Sequence, residues 1–501
     1  MTRRIKVAVL GIALAVATSA REEYSRGFDK TVSLNAGGRV YLEHSLGDIV
    51  VHTHAQAQVV IHADIRVSAS NAEQAKSFGD RIEIVVEPSS SELSIRTRYP
   101  DHSGPHGVFG NGGFQLMHNV SYYVHYDVTI PETAPLQIRN SFGKVTVAGV
   151  KANCAILTSH GDLEFKDGRG TQRLEDSFAN VHVANNAGDV TVEDTNGAVD
   201  AADIKGALAV RDRFANVTVA GVGKGVTIVN SNGNVQVSDS GGSGDIRNAF
   251  GTVTVHSFHG DLTVNNSNGK VEAIHVEGAA ELNTTFADVR LSEVSRQASV
   301  RANNASIEGD KIGGPLTVQN SYGAVTISDV QGGVDIHSGN GNVSLTNIRA
   351  GANIRTSYAT VEASNIGGLL TVENSNGAVK ASSTRGAQIK TSFGAVILDG
   401  ITGPLQIEDQ NGAIDAAIST RGACQPVIIR TSFSALRVRI NGEASYRVNA
   451  HTSFGKIQSD FPLTVSGSLS NDELNGSIGT GRCDMRLNDS NGTIEIVKGG
   501  S

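Results

Sequence analysis

Histidines crowd the first part of the chain. His52 and His54 follow the run Ile49-Val50-Val51, so on a continuing strand both face one side, as metal ligands can. His62, His102, His106, His118 and His125 come later. No Cys or carboxylate stands in register with them, and no Cys-x-x-Cys or Cys/His zinc spacing occurs, so exposed strand and loop histidines are the simpler reading. Asp200 and Asp203 form a carboxylate pair near a turn, the minimum for a glycosidase-type site. Acids beside turns are ordinarily just solvated, and no nucleophile, base and orienting group accompany these two. Gly221-Val222-Gly223-Lys224-Gly225 hints at a phosphate loop but lacks the closing Gly-Lys-Ser/Thr. Calcium-binding nonapeptides need an Asp at a constant place in each turn, whereas Asp162, Asp189 and Asp261 follow their glycines only sporadically. Of the 3 cysteines, Cys424 and Cys483 could pair in an oxidising compartment, leaving Cys154 free; three small buried residues is the simpler expectation. The sequence thus designates no catalytic, cofactor-binding or metal-binding residue and argues against an enzyme.

The elements that carry these residues follow a strict beat. From Asn140-Ser141-Phe142-Gly143-Lys144-Val145-Thr146-Val147, matching segments recur at Gly161, Ala179, Gly197, Ala215, Gly233 and onward to Gly377, each eighteen residues after the last. One deletion moves the next match to Gly394, and Gly412 resumes the count. A second series, with Gly170, Gly188, Gly206 and Gly242 among its members, lies halfway between, so two unlike nonapeptides make one repeat. Apolar residues stand two and four places after the Gly, as in Val325 and Ile327 or Leu370 and Val372. That alternation is a strand with one buried face, and the Gly, Asn and Ser between strands are turn formers. Short strand, tight turn, short strand at constant spacing predicts an all-β parallel β-solenoid, or β-helix.

A longer rhythm overlies the first. Phe142, Phe178, Phe214, Phe250, Phe286, Tyr322, Tyr358 and Phe393 alternate with His160, Asn196, Asn232, Asn268, Asn304, Asn340, Asn376 and Asn411, a superperiod of thirty-six. Like-on-like ladders favour a coil of thirty-six over one of eighteen, with the aromatics stacked inside. The outward residue between the two apolar ones reads Thr146, Glu164, His182, Asp200, Thr218 and Gln236 in successive repeats, a mixed solvated face.

Composition agrees with this architecture and narrows the function. Gly is abundant (57 residues), Trp absent and aromatics only 5%, which suits narrow stacked layers. A formal charge of −8 over 501 residues argues against nucleic acid as the main partner. Arg3, Arg4 and Lys6 flank an apolar run over residues 7–17, and Thr18-Ser19-Ala20 ends in small residues, which reads as a secretory signal peptide over 1–20 cut after Ala20. No Cys follows that site, which argues against a lipid anchor, and no later segment reads as a transmembrane helix. Residues 21–139 carry strands without the beat and read as an N-terminal β-rich cap domain; 140–420 are the solenoid repeats; 421–501 read as degenerate terminal coils and a cap.

The run Val128-Thr129-Ile130-Pro131, then residues 138–147 and the repeated Asn-Ser-x-Gly-x-Val, is similar to the bacterial putative-adhesin family, over roughly residues 28–500. That resemblance implies a β-strand-repeat solenoid at the cell envelope and carries no binding residues with it. The expectation is an exported, non-enzymatic scaffold or binding protein, periplasmic, on the cell surface or secreted, whose partners are polysaccharide, an envelope protein or another copy of itself. The alternative is a carbohydrate-active β-helix enzyme, a polysaccharide lyase or hydrolase.

Overall fold

A computed structural model describes residues 21–100, 120–420, 424–466 and 470–499. The signal peptide read from the sequence, and His102, His106 and His118, lie outside the described residues. The described chain is nearly all β, with one helix, and forms a parallel β-solenoid. It has two compact units, residues 1–169 and 170–501.

In the second unit each coil holds two short strands, such as Val235–Ser240 and Gly244–Phe250. Each strand pairs in parallel with the strand eighteen residues on: Val217 faces Val235, which faces Val253, and Val226 faces Gly244, which faces Leu262. The coil of thirty-six expected from the aromatic rhythm is therefore not what forms. Two nonapeptide strands already close a turn, and the Asn between two rings bonds the backbone instead, as Asn232 does in donating to the Arg213 carbonyl at 3.1 Å.

Alternate residues point inward, so Val235, Val237 and Ile246 are buried while Gln236 and Arg247 face out. Each buried Val, Leu or Ile contributes about 1.5–3 kcal/mol. The core is thin, and its rare gaps are filled locally. Gly244 takes an inward position where a β-carbon would come 2.7 Å from the ring of Phe258, the large side chain that occupies that space.

Two kinds of corner turn the chain. After the first strand one residue per coil adopts the left-handed conformation, as at Asp203, Asp239, Ser257 and His275 with φ of 56, 47, 56 and 60°. Short polar side chains tolerate that region best. After the second strand the corner is a glycine or an alanine, as at Gly233 and Ala215, whose backbone lies directly on the corner below. At Gly233, with φ of 138°, a β-carbon would sit 2.0 Å from the Ala215 carbonyl oxygen. The one-residue deletion is absorbed at a corner too: Ile366 faces Thr384, but Leu369 faces Gly386.

The end of this unit departs from simple winding. Val427–Thr431 and Leu436–Asn441 are followed in space by Cys483–Asp489 and Ile494–Lys498, not by the next strands in sequence. Tyr446–Thr452 and Ile457–Ser459 pair on the far side of those last two strands. The final coil is thus slotted between the two that precede it, while the spacing already stretches one step earlier, where Ile414 faces Leu436, twenty-two residues on. Glu473–Ile478 then runs antiparallel to Tyr446–Thr452, with Leu463–Val465 beside it. Cys424 and Cys483 are joined by a disulfide across 59 residues, which corrects the expectation of three unpaired cysteines. The coil stacking brings their Cα atoms to 5.9 Å, within disulfide reach, and a loop of that length adds about 4 kcal/mol in the chain-entropy account. Cys154 is free and buried.

In the first unit the local rule at Gly47 to Val51 proves to be a coil of its own. Val40 and Leu42 face Leu136 and Ile138, and Ile49 and Val51 face Val145 and Val147. Beside these layers the first unit has antiparallel strands, Glu22–Ser33 on Gln58–Ala69 on Ser121–Pro131. It also makes the helix Ala72–Asp80, which the strand-only reading of this region missed. Asn71 caps that helix, its side chain accepting from the Gln74 N–H at 2.8 Å, and Phe78 buries its inner face. His44 lies inside this unit, its Nδ1 3.0 Å from the Thr97 hydroxyl, and burial pushes its imidazole down to about 4.

Gly233→Ala should cost about 1–3 kcal/mol, because the corner must either shift or hold a left-handed non-glycine residue. Gly225→Ala, whose β-carbon would find its nearest neighbour at 3.4 Å, should be close to neutral. Urea midpoints of the two variants check this; equal midpoints would show that the glycine corners do not govern stacking.

Candidate binding surface

Each second strand ends in three residues that build one edge of the solenoid. In most coils, as at Asn248-Ala249-Phe250, the first is buried and polar, the second small and the third the alternating aromatic or Asn; Ala302-Asn303-Asn304 and Asp212-Arg213-Phe214 depart from this. Register places Asn232 beside Phe250, then Asn268, then Phe286, and later Tyr322, Asn340, Tyr358 and Asn376. In the first unit Phe142 stacks on His160, rings 4.6 Å apart and 20° from parallel.

The aromatics are not an interior ladder. Phe178, Phe214, Phe250, Phe286, Tyr322, Tyr358 and Phe393 are 51–64% exposed. The reason is the corner that follows: backbone packs on backbone there, leaving no interior volume for a ring. With an Asn between them, successive rings stand about 10 Å apart, two strand spacings.

The buried column two residues earlier clamps the corners that present these rings, and the sequence reading missed it. Asn248 donates from Nδ2 to the Phe250 and Gly233 carbonyls at 3.0 and 3.1 Å, and Asn266 donates to those of Gly251 and Gly269, both at 2.9 Å. Where the column holds Asp the polarity reverses. Asp194 accepts from the N–H groups of Thr195 and Gly197 at 2.6 and 3.0 Å, and Asp212 accepts from that of Ala215 at 3.0 Å. Burial pushes the Asp194 carboxyl up to about 7, opposed by the Thr195 N–H, with Asp176 and Asp212 one coil to either side adding repulsion.

Beside the aromatic edge runs a groove of about 1130 Å³ that spans six coils. One wall is the outward column Asn265, Asn283, Arg301, Gln319, His337 and Arg355, each in register with the next. All six are planar N–H donors at about 4.8 Å steps, and Glu373 ends the run. The floor is small and mostly hydroxylic, with Ser267, Thr285, Ser321 and Ser357, and Tyr322 and Asn340 rise on the other side. The lining holds no carboxylate. Acids outside it steady the basic groups: Arg301 donates to Glu281 at 2.6 Å, Arg355 lies 3.4 Å from Glu373, and His337 lies 3.5 Å from Asp335. These residues belong to the second nonapeptide of each repeat. The six donors stand one place after the second apolar residue, whereas the residue between the apolar pair reads Thr263, Glu281, Ser299, Thr317, Asp335 and Asn353, so the run shows only at that later position.

The other chemistry-bearing residues are scattered. His52 lies 3.9 Å from Asp127, while His54 Nε2 is 2.7 Å from the Gln58 carbonyl, and His62 is 2.7 Å from Asp29. Asp200 sits 3.4 Å from His182, whereas Asp203 occupies a left-handed corner. Gly221 to Gly225 forms a coil corner, with the Gly223 N–H on the Ile204 carbonyl at 2.7 Å. Among the described residues no three His, Cys, Asp or Glu side chains gather as a metal site.

The raised Asp194 makes stability depend on pH. The folded state keeps a proton that the unfolded chain releases near 3.8, so the group's contribution is full below about pH 4 and lost as pH rises through about 7. Asp194→Asn, the residue found at Asn230 and Asn248, should therefore gain stability relative to the parent from pH 4 to pH 8. Thermal unfolding across that range checks it, and parallel curves would sink the assignment.

Residues 314–497, which include half of the groove, match the family described as Toastrack DUF4097. No curated protein matches the chain. Among solved structures the chain is similar to a putative cell adhesion protein from Clostridium sporogenes at 9% identity, covering 95% of this chain and 100% of that one. The TM-score is 0.15, too low to carry any argument. Over residues 314–497 the chain is therefore similar to the Toastrack family, DUF4097, a family of unknown function, which agrees with the adhesin-type repeat resemblance read from its Asn-Ser-x-Gly-x-Val motif.

Proposed function

We propose that this chain is an exported, non-enzymatic binding or scaffold protein of the cell envelope or surface, and that its aromatic edge is a linear contact surface. The observation that carries the reading is the column of exposed rings at every second coil. Exposed apolar side chains in a continuous array mark interaction surfaces in soluble proteins, and a single row at constant pitch suits an extended partner. Partners with that form are a polysaccharide, an envelope protein or a second copy of the solenoid. Export draws support from the basic, apolar and small-residue order of residues 1–20 and from the Cys424–Cys483 disulfide, which persists in oxidising compartments. The absence of an enzyme role is supported by the dispersal of Asp200, Asp203 and the described histidines, none of which meets a reacting set.

Phe250, Phe286, Tyr322 and Tyr358 are replaced together by Ser in the full chain. Retention on isolated bacterial envelope, measured by co-sedimentation beside a self-association measurement by light scattering, should fall at least about tenfold, since each exposed ring contributes about 0.5–1.5 kcal/mol to a contact. The urea midpoint should stay near that of the parent, because the rings are outside the core. Unchanged retention and unchanged self-association would overturn the reading.

A further inference from the structure

We propose that the groove beside Tyr322 and Tyr358 is a binding site for an extended, carboxylate-bearing polysaccharide, a polyuronate laid along the solenoid axis. The inference rests on the reading of the edge as a contact surface and assigns one ligand class to one part of it.

The groove suits a polymer held by side chains. Its backbone is already paired in register on both sides from Leu262–Asn268 to Ala352–Tyr358, so no ligand strand can add to it by main-chain bonding. Recognition falls to the donor wall and the hydroxylic floor. Five steps of the donor column span about 24 Å, and the volume exceeds the roughly 300–1,000 Å³ of small-molecule pockets. Each ring of an extended glycan advances by about one coil, so successive sugars meet a fresh planar donor, and four of the six coils add a floor hydroxyl. Tyr322 adds an aromatic ring on the facing wall. The aromatic series changes from Phe to Tyr only at Tyr322 and Tyr358 among Phe142 to Phe393; Tyr322 lines this groove, and Tyr358 follows its last lining residue, Ser357. A phenol adds a hydrogen-bonding hydroxyl to the apolar ring, the combination that sugar recognition uses.

Charge selects the acidic class. The whole chain carries −8, yet the charged residues of this lining are Arg301 and Arg355, with no acid among them; their partners Glu281 and Glu373 lie outside it. The two guanidiniums lie three coils apart, about 14 Å, and each keeps N–H donors beyond its Glu281 or Glu373 partner. A guanidinium with donors to spare matches a carboxylate better than a neutral hydroxyl. Nucleic acid fits less well, since a phosphate chain needs a denser run of cations than two guanidiniums.

The full chain is titrated by calorimetry with polygalacturonate and alginate as acidic probes and with xylan and dextran as neutral ones. The variant Arg301→Gln/Arg355→Gln keeps side-chain donors and removes two charges; Phe178→Ser/Phe214→Ser alters the aromatic edge outside the groove. Expected is salt-sensitive binding of at least one acidic probe, neutral probes at least about tenfold weaker, a loss of at least about tenfold in the arginine variant, and little change in the Phe178/Phe214 variant. Equal binding of neutral probes, or wild-type affinity in the arginine variant, would overturn the assignment. If no polysaccharide binds while envelope retention still depends on the aromatic edge, this inference fails and the contact-surface reading stands. If neither holds, both fail.

Discussion

Backbone stacked on backbone at the glycine corners is the constraint that the solenoid depends on. At Gly233, Gly251 and Gly269 a β-carbon would lie 2.0–2.2 Å from the carbonyl oxygen of the coil below. Such corners hold glycine or, as at Ala179, Ala215 and Ala287, the smallest side chain. Several consequences follow from that closeness. The corner offers no interior volume, so the residue before it must point outward whatever its polarity. The chain on either side must be held in register, and the buried Asn and Asp column does this by bonding the corner's carbonyls and N–H groups. Every such corner has the same geometry, so the aromatic it presents recurs in a straight row.

A solenoid of this kind builds its surface in columns, not in clusters. A residue's neighbours are those eighteen places away, and a chemical feature arises when one column keeps its character over several coils. The six donors from Asn265 to Arg355 make such a run, while the columns around Asp200 change from coil to coil and stay generic. The same logic governs the buried acids. Asp176, Asp194 and Asp212 occupy one column on three successive coils, and their mutual repulsion adds to burial in raising Asp194. The ends need different solutions, because an open coil exposes unpaired strand edges. At one end the chain inserts its last coil between two earlier ones and crosses it with antiparallel strands; in the first unit a long excursion, helix included, separates two coils that lie in direct register.

Much of this was legible from residue spacing. The apolar pair two and four places after each Gly predicted strands such as Val235–Ser240, and the nine-residue beat predicted the solenoid. The polar buried column was visible too, as Asn230, Asn248 and Asn266 at constant spacing, but polar residues in a turn-rich stretch read as solvated until their partners are seen. The helix Ala72–Asp80 carried no beat to betray it, and the threading of the last coil rests on pairings between strands far apart in sequence, which local spacing does not record.

The sequence by itself determined the strand length, the corner positions and the alternation of ring and amide, because these are local consequences of side-chain shape and backbone freedom. Only the tertiary structure decided that the coil is eighteen residues and that the rings face solvent. A repeat sets distances along the chain, and both eighteen and thirty-six satisfy those equally. Which copy lies on which depends on how many strands it takes to turn the chain back on itself, and two suffice here. Whether a ring is buried depends on the space left inside a corner, a property of stacked backbones that no single repeat contains.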